Sequence, residues 1–359
     1  MIPIVFAYPR NCIGGVLSNQ QDTDFLTLKQ SFKEIFMRKL LLGTTALAAA
    51  ATLSANAALA DISIGGYYEW SYNSTSSTIA ANDGTSFGAD SEIKFSFTNK
   101  TDSGLTVGFT TEMESDAAGI DESSLSISGG FGKLVLGQQD GASDNYGIDA
   151  EDVVGEEIQA YAASDGLTLN DTDVESTDSD TNKLTYHIPA VGGLTAGVSF
   201  TDAGTDDTAA TQDITAFGAQ YAMEAGGAAI TIGGATMTQD TTTAQDSDST
   251  NYGVKVVSGD LTFIAATAEY EAVGQDEESS GVGAKMQISD GLSAAVFTYK
   301  VEDDTTAEEY TNTGLEVVYN IASGLDAYVN VEDYEFKAGT GGVAADSGTA
   351  SKLTIKAAF

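Results

Sequence analysis

The stretch Leu315-Glu316-Val317-Val318-Tyr319-Asn320-Ile321-Ala322-Ser323-Gly324-Leu325 decides the reading of this chain. Leu315, Val317, Tyr319 and Ile321 alternate with Glu316, Val318 and Asn320. A period of two sends successive side chains to opposite faces of a strand. Ser323-Gly324 then offers a tight turn before the next apolar residue.

The same pattern recurs on both sides. Ile93, Phe95 and Phe97 alternate with Glu92, Lys94, Ser96 and Thr98. Leu105, Val107 and Phe109, then Leu184, Tyr186 and Ile188, and finally Leu353, Ile355, Ala357 and Phe359, repeat it. The turn repeats too. Gly193, Gly226, Gly259, Gly291 and Gly324 are spaced by 33, 33, 32 and 33 residues, and Phe359 lies 35 beyond the last. Each unit holds two strands of about ten residues, and roughly 9–11 residues carry a tilted strand across a bilayer. Connections at the other end are longer, acidic and low in complexity, over 74–89, 203–211, 240–249, 303–309 and 338–349. Short turns on one side and long loops on the other are the layout of a transmembrane barrel.

The fold predicted is therefore all-β, a closed antiparallel barrel of sixteen strands. Starts are expected near Asp61, Asp90, Leu105, Asp121, Lys133, Asn182, Leu194, Gln212, Ala228, Thr250, Leu261, Ser280, Leu292, Asn312, Leu325 and Ser351. Closure pairs every backbone N–H and C=O and leaves no edge in lipid. Alternation puts Lys94, Lys183, Lys255, Lys285, Lys300 and Lys356 on the polar face. Tyr68, Trp70, Tyr72, Phe95, Phe97, Phe109, Tyr186, Phe200, Phe217 and Tyr319 fall on the opposite, lipid-facing one.

The barrel begins after a leader. Met37-Arg38-Lys39, the apolar run 40–53 and Ala58-Leu59-Ala60 form the three parts of a secretory signal peptide over 37–60. Residues 1–36 are read as an upstream mis-start, with a genuine extra leader as the alternative. The only cysteine, Cys12, and both arginines, Arg10 and Arg38, lie before Asp61. From Asp61 onward ten lysines stand against 50 Asp and Glu, a formal charge of −40. That balance excludes nucleic acid, which binds through cationic contacts to phosphate, and attracts cations.

Three segments carry a family resemblance: Asp61-Ile62-Ser63-Ile64-Gly65-Gly66-Tyr67-Tyr68, Gly130-Phe131-Gly132-Lys133-Leu134-Val135-Leu136-Gly137-Gln138, and the last strand ending in Phe359. In them the chain resembles the general diffusion porins of Gram-negative outer membranes, most closely the alphaproteobacterial type. The resemblance implies an integral outer-membrane barrel, a homotrimer in which each subunit has its own water-filled pore for small hydrophilic solutes and ions. It implies that Phe359 is the signal read by the barrel-assembly machinery, and that the two chain ends meet at the seam. It also implies that the third loop, here the connection over 138–181, folds inward and narrows the pore. Asp140, Asp144, Asp149, Glu151, Asp152, Glu156 and Glu157 would then line the constriction, facing Lys94 on the wall. The family sets mostly arginines there, and this chain has none after Arg38. Acidic rings favour cations in a pore, so a cation preference is expected.

Enzymatic chemistry finds little support. Serine acyl transfer needs a nearby base, and the one histidine, His187, reads as a solvated wall residue. No cofactor is required by this reading. Asp171, Asp173, Glu175, Asp178 and Asp180 offer hard oxygen ligands suited to calcium, but they lack the Gly and terminal Glu spacing of an EF-hand loop, and a plain solvated loop is the alternative. Two other readings stay open, a substrate-specific channel on the same barrel and a secreted acidic β-rich surface or adhesin protein.

Overall fold

The computed structural model describes residues 61–114, 120–156, 158, 167–169, 171–174, 181–202, 213–240, 246–340 and 342–359. The leader segments 1–36 and 37–60, the expected loop over 203–211, and Glu157, Glu175, Asp178 and Asp180 lie outside the described residues. The sheet opens with β1 (Asp61–Ser77), β2 (Gly84–Lys100), β3 (Thr106–Glu114), β4 (Ser123–Gly129) and β5 (Gly132–Gln138). The long loop follows, and its described residues include a short helix, α1 (Ala142–Tyr146), and a 3-10 turn (Ala150–Val153). Next come β6 (Asn182–His187), β7 (Leu194–Thr201), β8 (Asp213–Ala225), β9 (Ala228–Asp240), β10 (Ser247–Ser258) and β11 (Leu261–Ala272). The chain finishes with β12 (Gln275–Ser289), β13 (Leu292–Asp303), β14 (Glu309–Ala322), β15 (Leu325–Lys337) and β16 (Asp346–Ala358).

Each strand pairs antiparallel with the next, and β1 pairs with β16, so the sixteen strands close into a barrel. The seam runs Tyr67↔Ala358 through Ser77↔Gly348 and ends where Gly66 and Phe359 exchange two backbone hydrogen bonds of 3.0 Å. Residues 61–65 therefore run past the end of β16, and Asp61 sits opposite Thr98 of β2. The seam joins Gly66, not Asp61, to Phe359.

Strands that follow the glycine turns begin within one residue of the expected positions. Gly193, Gly226 and Gly324 adopt φ of 90°, 62° and 72° there, a region costly for residues with a Cβ. At the opposite end β4, β6 and β8 begin within two residues of expectation, while five strands begin three to six residues early: β2 at Gly84, β10 at Ser247, β12 at Gln275, β14 at Glu309 and β16 at Asp346. The expected loop over 74–89 is mostly hairpin, with Ser74↔Thr85 and Thr75↔Gly84 in register. The β11–β12 connection is only Val273-Gly274. These extensions leave the apolar band, so both faces are polar and hydropathy does not alternate, yet the backbone ladder continues.

The outer face is apolar. Tyr68, Phe217, Tyr252 and Tyr319 are exposed by 51%, 52%, 61% and 56%, and Ile62, Ile64, Ile93, Phe109, Val296, Leu315, Val329 and Leu353 continue the surface. A water-soluble protein would not present so large a contiguous apolar face. Phe97 and Phe109 lie side by side on it, with ring centroids 5.9 Å apart.

Two expectations are corrected. Lys300 shares a face with Val296 and Glu302, so it is outward. It sits on the extension beyond the apolar band, paired to Glu302 at 2.6 Å and Glu309 at 3.0 Å, and so needs no burial in lipid. The inner face is also not uniformly polar. Ile264, Tyr270, Phe297, Tyr299, Val301, Tyr310, Tyr334 and Phe336 are buried there, and they enclose Ile148, Val153 and Leu169 of the long loop.

Candidate functional site: the loop, the seam and the passage between them

The long loop is fastened to inner-face side chains of one strand after another. The Ala142 N–H at the start of α1 donates to Ser199 Oγ of β7 at 2.9 Å, and Gln220 Nε2 of β8 donates to the Tyr146 carbonyl at 3.2 Å. Asn251 of β10 holds Ile148 by both sides, accepting its N–H at 3.2 Å and donating to its carbonyl at 3.0 Å. Glycines make room for this close approach. A Cβ on Gly253 would stand 2.5 Å from Ile148 Cβ, and one on Gly218 would stand 2.6 Å from the Ala142 carbonyl oxygen.

Three buried wall carboxylates hold the remainder. Glu316 accepts the N–H groups of Gly155 and Glu156 at 2.9 Å each, and Glu332 accepts that of Ile158 at 3.1 Å. Glu277 accepts those of Thr168 and Leu169 at 2.9 and 2.7 Å. A buried carboxylate is tolerated when its oxygens are filled by donors, and charge-assisted bonds of this kind are the stronger sort.

The expected acidic residues divide. Asp140 and Asp152 are exposed, and Asp144 accepts the Gly141 N–H at 3.1 Å. Asp152 has an open surface but is set deep among loop and wall, and that desolvation pushes its carboxyl up, with Lys255 working against the rise. Asp149, Glu151 and Asp171 come together, each placing one carboxylate oxygen within 4.8 Å of the others. These hard donors are the set by which the described residues could hold a divalent cation. They draw on both halves of the loop, whereas the sequence pattern pointed to the single run 171–180. Burial raises Asp149, and burial with neighbouring Asp171 raises Asp173 well above the ordinary value.

Glu156 is buried, and it reaches the β1–β16 seam. Lys356 lies 2.6 Å and Lys352 3.3 Å from its carboxylate, and both lysines also contact Glu69 of β1, at 3.5 and 3.2 Å. Burial works against the Glu156 charge, but the ion pairs with Lys356 and Lys352 outweigh it and hold the carboxyl below its usual value. Lys94 is ion-paired to Glu112 on the neighbouring strand. Lys352 and Glu69 were not singled out from sequence. Lys352 and Lys356 share the inner face of the last strand, but four residues span about 13 Å there, so their spacing alone did not reveal that both reach the same two carboxylates. His187 is half-buried and hydrogen-bonded to the Tyr146 hydroxyl at 2.8 Å, so it supports α1 and is not a solvated wall residue.

Open space lies between the loop and β1, β2 and β16. One cavity of about 650 Å³ is lined by Tyr67, Glu69, Asn73, Asp90, Glu156 and Lys356, among others. A second of about 350 Å³ shares Tyr67 and Lys356 with it and adds Glu92, Lys94 and Ser96. Together they trace a polar passage along the seam.

The fold recurs in solved porins. An anion-selective porin from Comamonas acidovorans aligns with a TM-score of 0.62 at 18% identity, over 84% of this chain and all of that one. The trimer form of OmpT from Vibrio cholerae aligns with a TM-score of 0.61 at 16% identity, over 84% and 99%. A mutant porin from Rh. blastica aligns with a TM-score of 0.59 at 15% identity, over 83% and 100%. No curated protein sequence matches the chain. Residues 43–339 match the model of the Gram-negative porin family, which spans most of the length. The chain belongs to the Gram-negative porin family.

Proposed function

We propose that the protein is a water-filled diffusion channel of the outer membrane, cation-preferring and open to small hydrophilic solutes and ions. The observation that carries this is the polar passage along β1, β2 and β16, where Glu69, Asp90, Glu92, Glu112 and Glu156 outnumber Lys94, Lys352 and Lys356. Carboxylates lining a pore favour cations, and the −40 balance of the chain from Asp61 onward raises cation concentration at its mouths. The long loop narrows the lumen by filling the β7–β15 side. The Comamonas acidovorans porin is anion-selective on the same fold, so the sign of selectivity rests on side chains and not on the barrel.

The trimer form of the Vibrio cholerae relative supports assembly of three barrels. Phe359, in the outward row with Leu353, Ile355 and Ala357, serves as the contact read during assembly. Recording in planar bilayers under a KCl gradient tests the reading. Ohmic, unsaturated conductance with a reversal potential of cationic sign is expected. An anionic sign refutes the preference, and conductance that saturates with one solute supports the substrate-specific channel instead.

A further inference from the structure

The four charged groups at the seam form a closed ring. Each lysine, Lys352 and Lys356, bridges both carboxylates, Glu69 of the wall and Glu156 of the loop, at distances from 2.6 to 3.5 Å. All four side chains are less than a third exposed. Lys356 also lies over the Tyr67 ring, 4.5 Å from its centroid. The backbone of Glu156 is held as well, its N–H by Glu316 and its carbonyl by Asn330. The loop is thus tied to β14 and β15 on one side of residue 156 and to the seam on the other.

We propose that Lys352 and Lys356 are positioning and specificity-determining residues of the channel, which clamp the loop to the seam and so set both aperture and ion preference. The inference rests on the channel reading above. The ring is electrically neutral, so Glu69 and Glu156 exert little net pull on a passing ion while the lysines remain. Ion preference is left to the groups that are not cancelled in this ring, chiefly Asp90 and Glu92 beside the Lys94–Glu112 pair. Removal of the lysines would leave two carboxylates facing one another. Their repulsion would drive the loop off the seam, and their charge would act on the passage.

The test is a K352M/K356M double variant, assembled as the full barrel and recorded in planar bilayers. An uncompensated carboxylate about 10 Å from the ion path, at bulk-water dielectric, changes the weight of a monovalent ion roughly twofold. Each therefore favours cation over anion about fourfold, two together raise the cation-over-anion permeability ratio about sixteenfold before salt screening, and unit conductance rises with the wider aperture. K352R/K356R should keep wild-type values, since the ring survives with its charges. E69Q/E156Q leaves the lysines unpaired and should shift the reversal potential the other way. A purely structural role would disturb noise or yield but leave the sign and size of these shifts unordered. Reversal potentials equal to wild type in both double variants overturn the proposal, and the E69Q/E156Q measurement decides it alone if K352M/K356M does not assemble. Wild-type protein that forms no ohmic channel would instead overturn the channel reading itself.

Discussion

Glu316 is the point at which the loop is most exposed to a single change. Its carboxylate lies fully buried and accepts the Gly155 N–H at 2.9 and 3.0 Å, the Glu156 N–H at 2.9 Å and Asn330 Nδ2 at 3.1 Å. In Glu316→Ala the two backbone donors lose their acceptor while the loop stays docked. Each such orphan costs about 1–3 kcal/mol. Removing a buried charge refunds part of that, so a net loss of about 3 kcal/mol is expected in the docked form, a shift of about a hundredfold in the docked-to-undocked ratio. Glu316→Gln keeps one acceptor oxygen and should lie between the two. Two assays read this directly. Open-channel noise in planar bilayers should rise as the loop leaves the wall. Cleavage by a Glu-specific endoprotease should also accelerate, because residues 138–181 hold Glu151, Glu156, Glu157 and Glu175 but no lysine or arginine, which leaves trypsin without a site. If folded Glu316→Ala shows wild-type noise and wild-type cleavage, the carboxylate is not what holds the loop.

Gly253→Val places a side chain where Ile148 already packs, at 2.5 Å from its Cβ, and should lift residues near 148. Overpacking of this kind costs about 1–3 kcal/mol, and faster loop proteolysis with an intact heat-modifiable barrel is the expected result. Loop docking should also depend on pH in two directions. Asp149 and Asp173 have raised values, so their contribution is full below the ordinary carboxylate range and is lost as pH climbs through the raised values. Glu156 is lowered, so its contribution is full above that range and is lost as pH falls through the lowered value. Open-channel noise should be least between those limits, and noise that is flat with pH would count against both assignments. Phe359→Ala removes a ring that is 72% exposed in the lipid-facing row beside the seam, and should lower the yield of heat-stable assembled barrel. Unchanged yield on denaturing gels would deny the residue that part.

The barrel was legible because two solvents imprint a period of two on every crossing strand. Leu315, Val317 and Tyr319 could be placed on the lipid side without any neighbour, and Gly193 or Gly324 marked the turns because φ near 90° or 72° suits glycine. The extensions were not legible, since Glu271↔Asp276 and Ser74↔Thr85 pair where neither face is apolar. Lys300 was misplaced for that reason. The site was harder still, because its contacts join residues far apart. Gly155 meets Glu316 across 161 positions, and Glu156 meets Lys356 across 200. No local pattern records that a carboxylate on a strand is waiting for a loop amide. One trace was present in β13, where Ala295, Phe297, Tyr299 and Val301 put the bulkier residues on the supposedly wet face. An apolar patch inside a pore wall means that something covers it.

The order of the residues along the chain has a kinetic consequence. The loop precedes β6, yet its acceptors Glu277, Glu316 and Glu332 and its clamp at Lys352 and Lys356 are contributed by strands that come 100 to 200 residues later. Contacts of such separation form only after the intervening chain has found its place. Docking at Glu316, Glu332 and the seam therefore waits until β14, β15 and β16 are in place. The loop is made before β6, yet the width it leaves depends on the last strands of the chain.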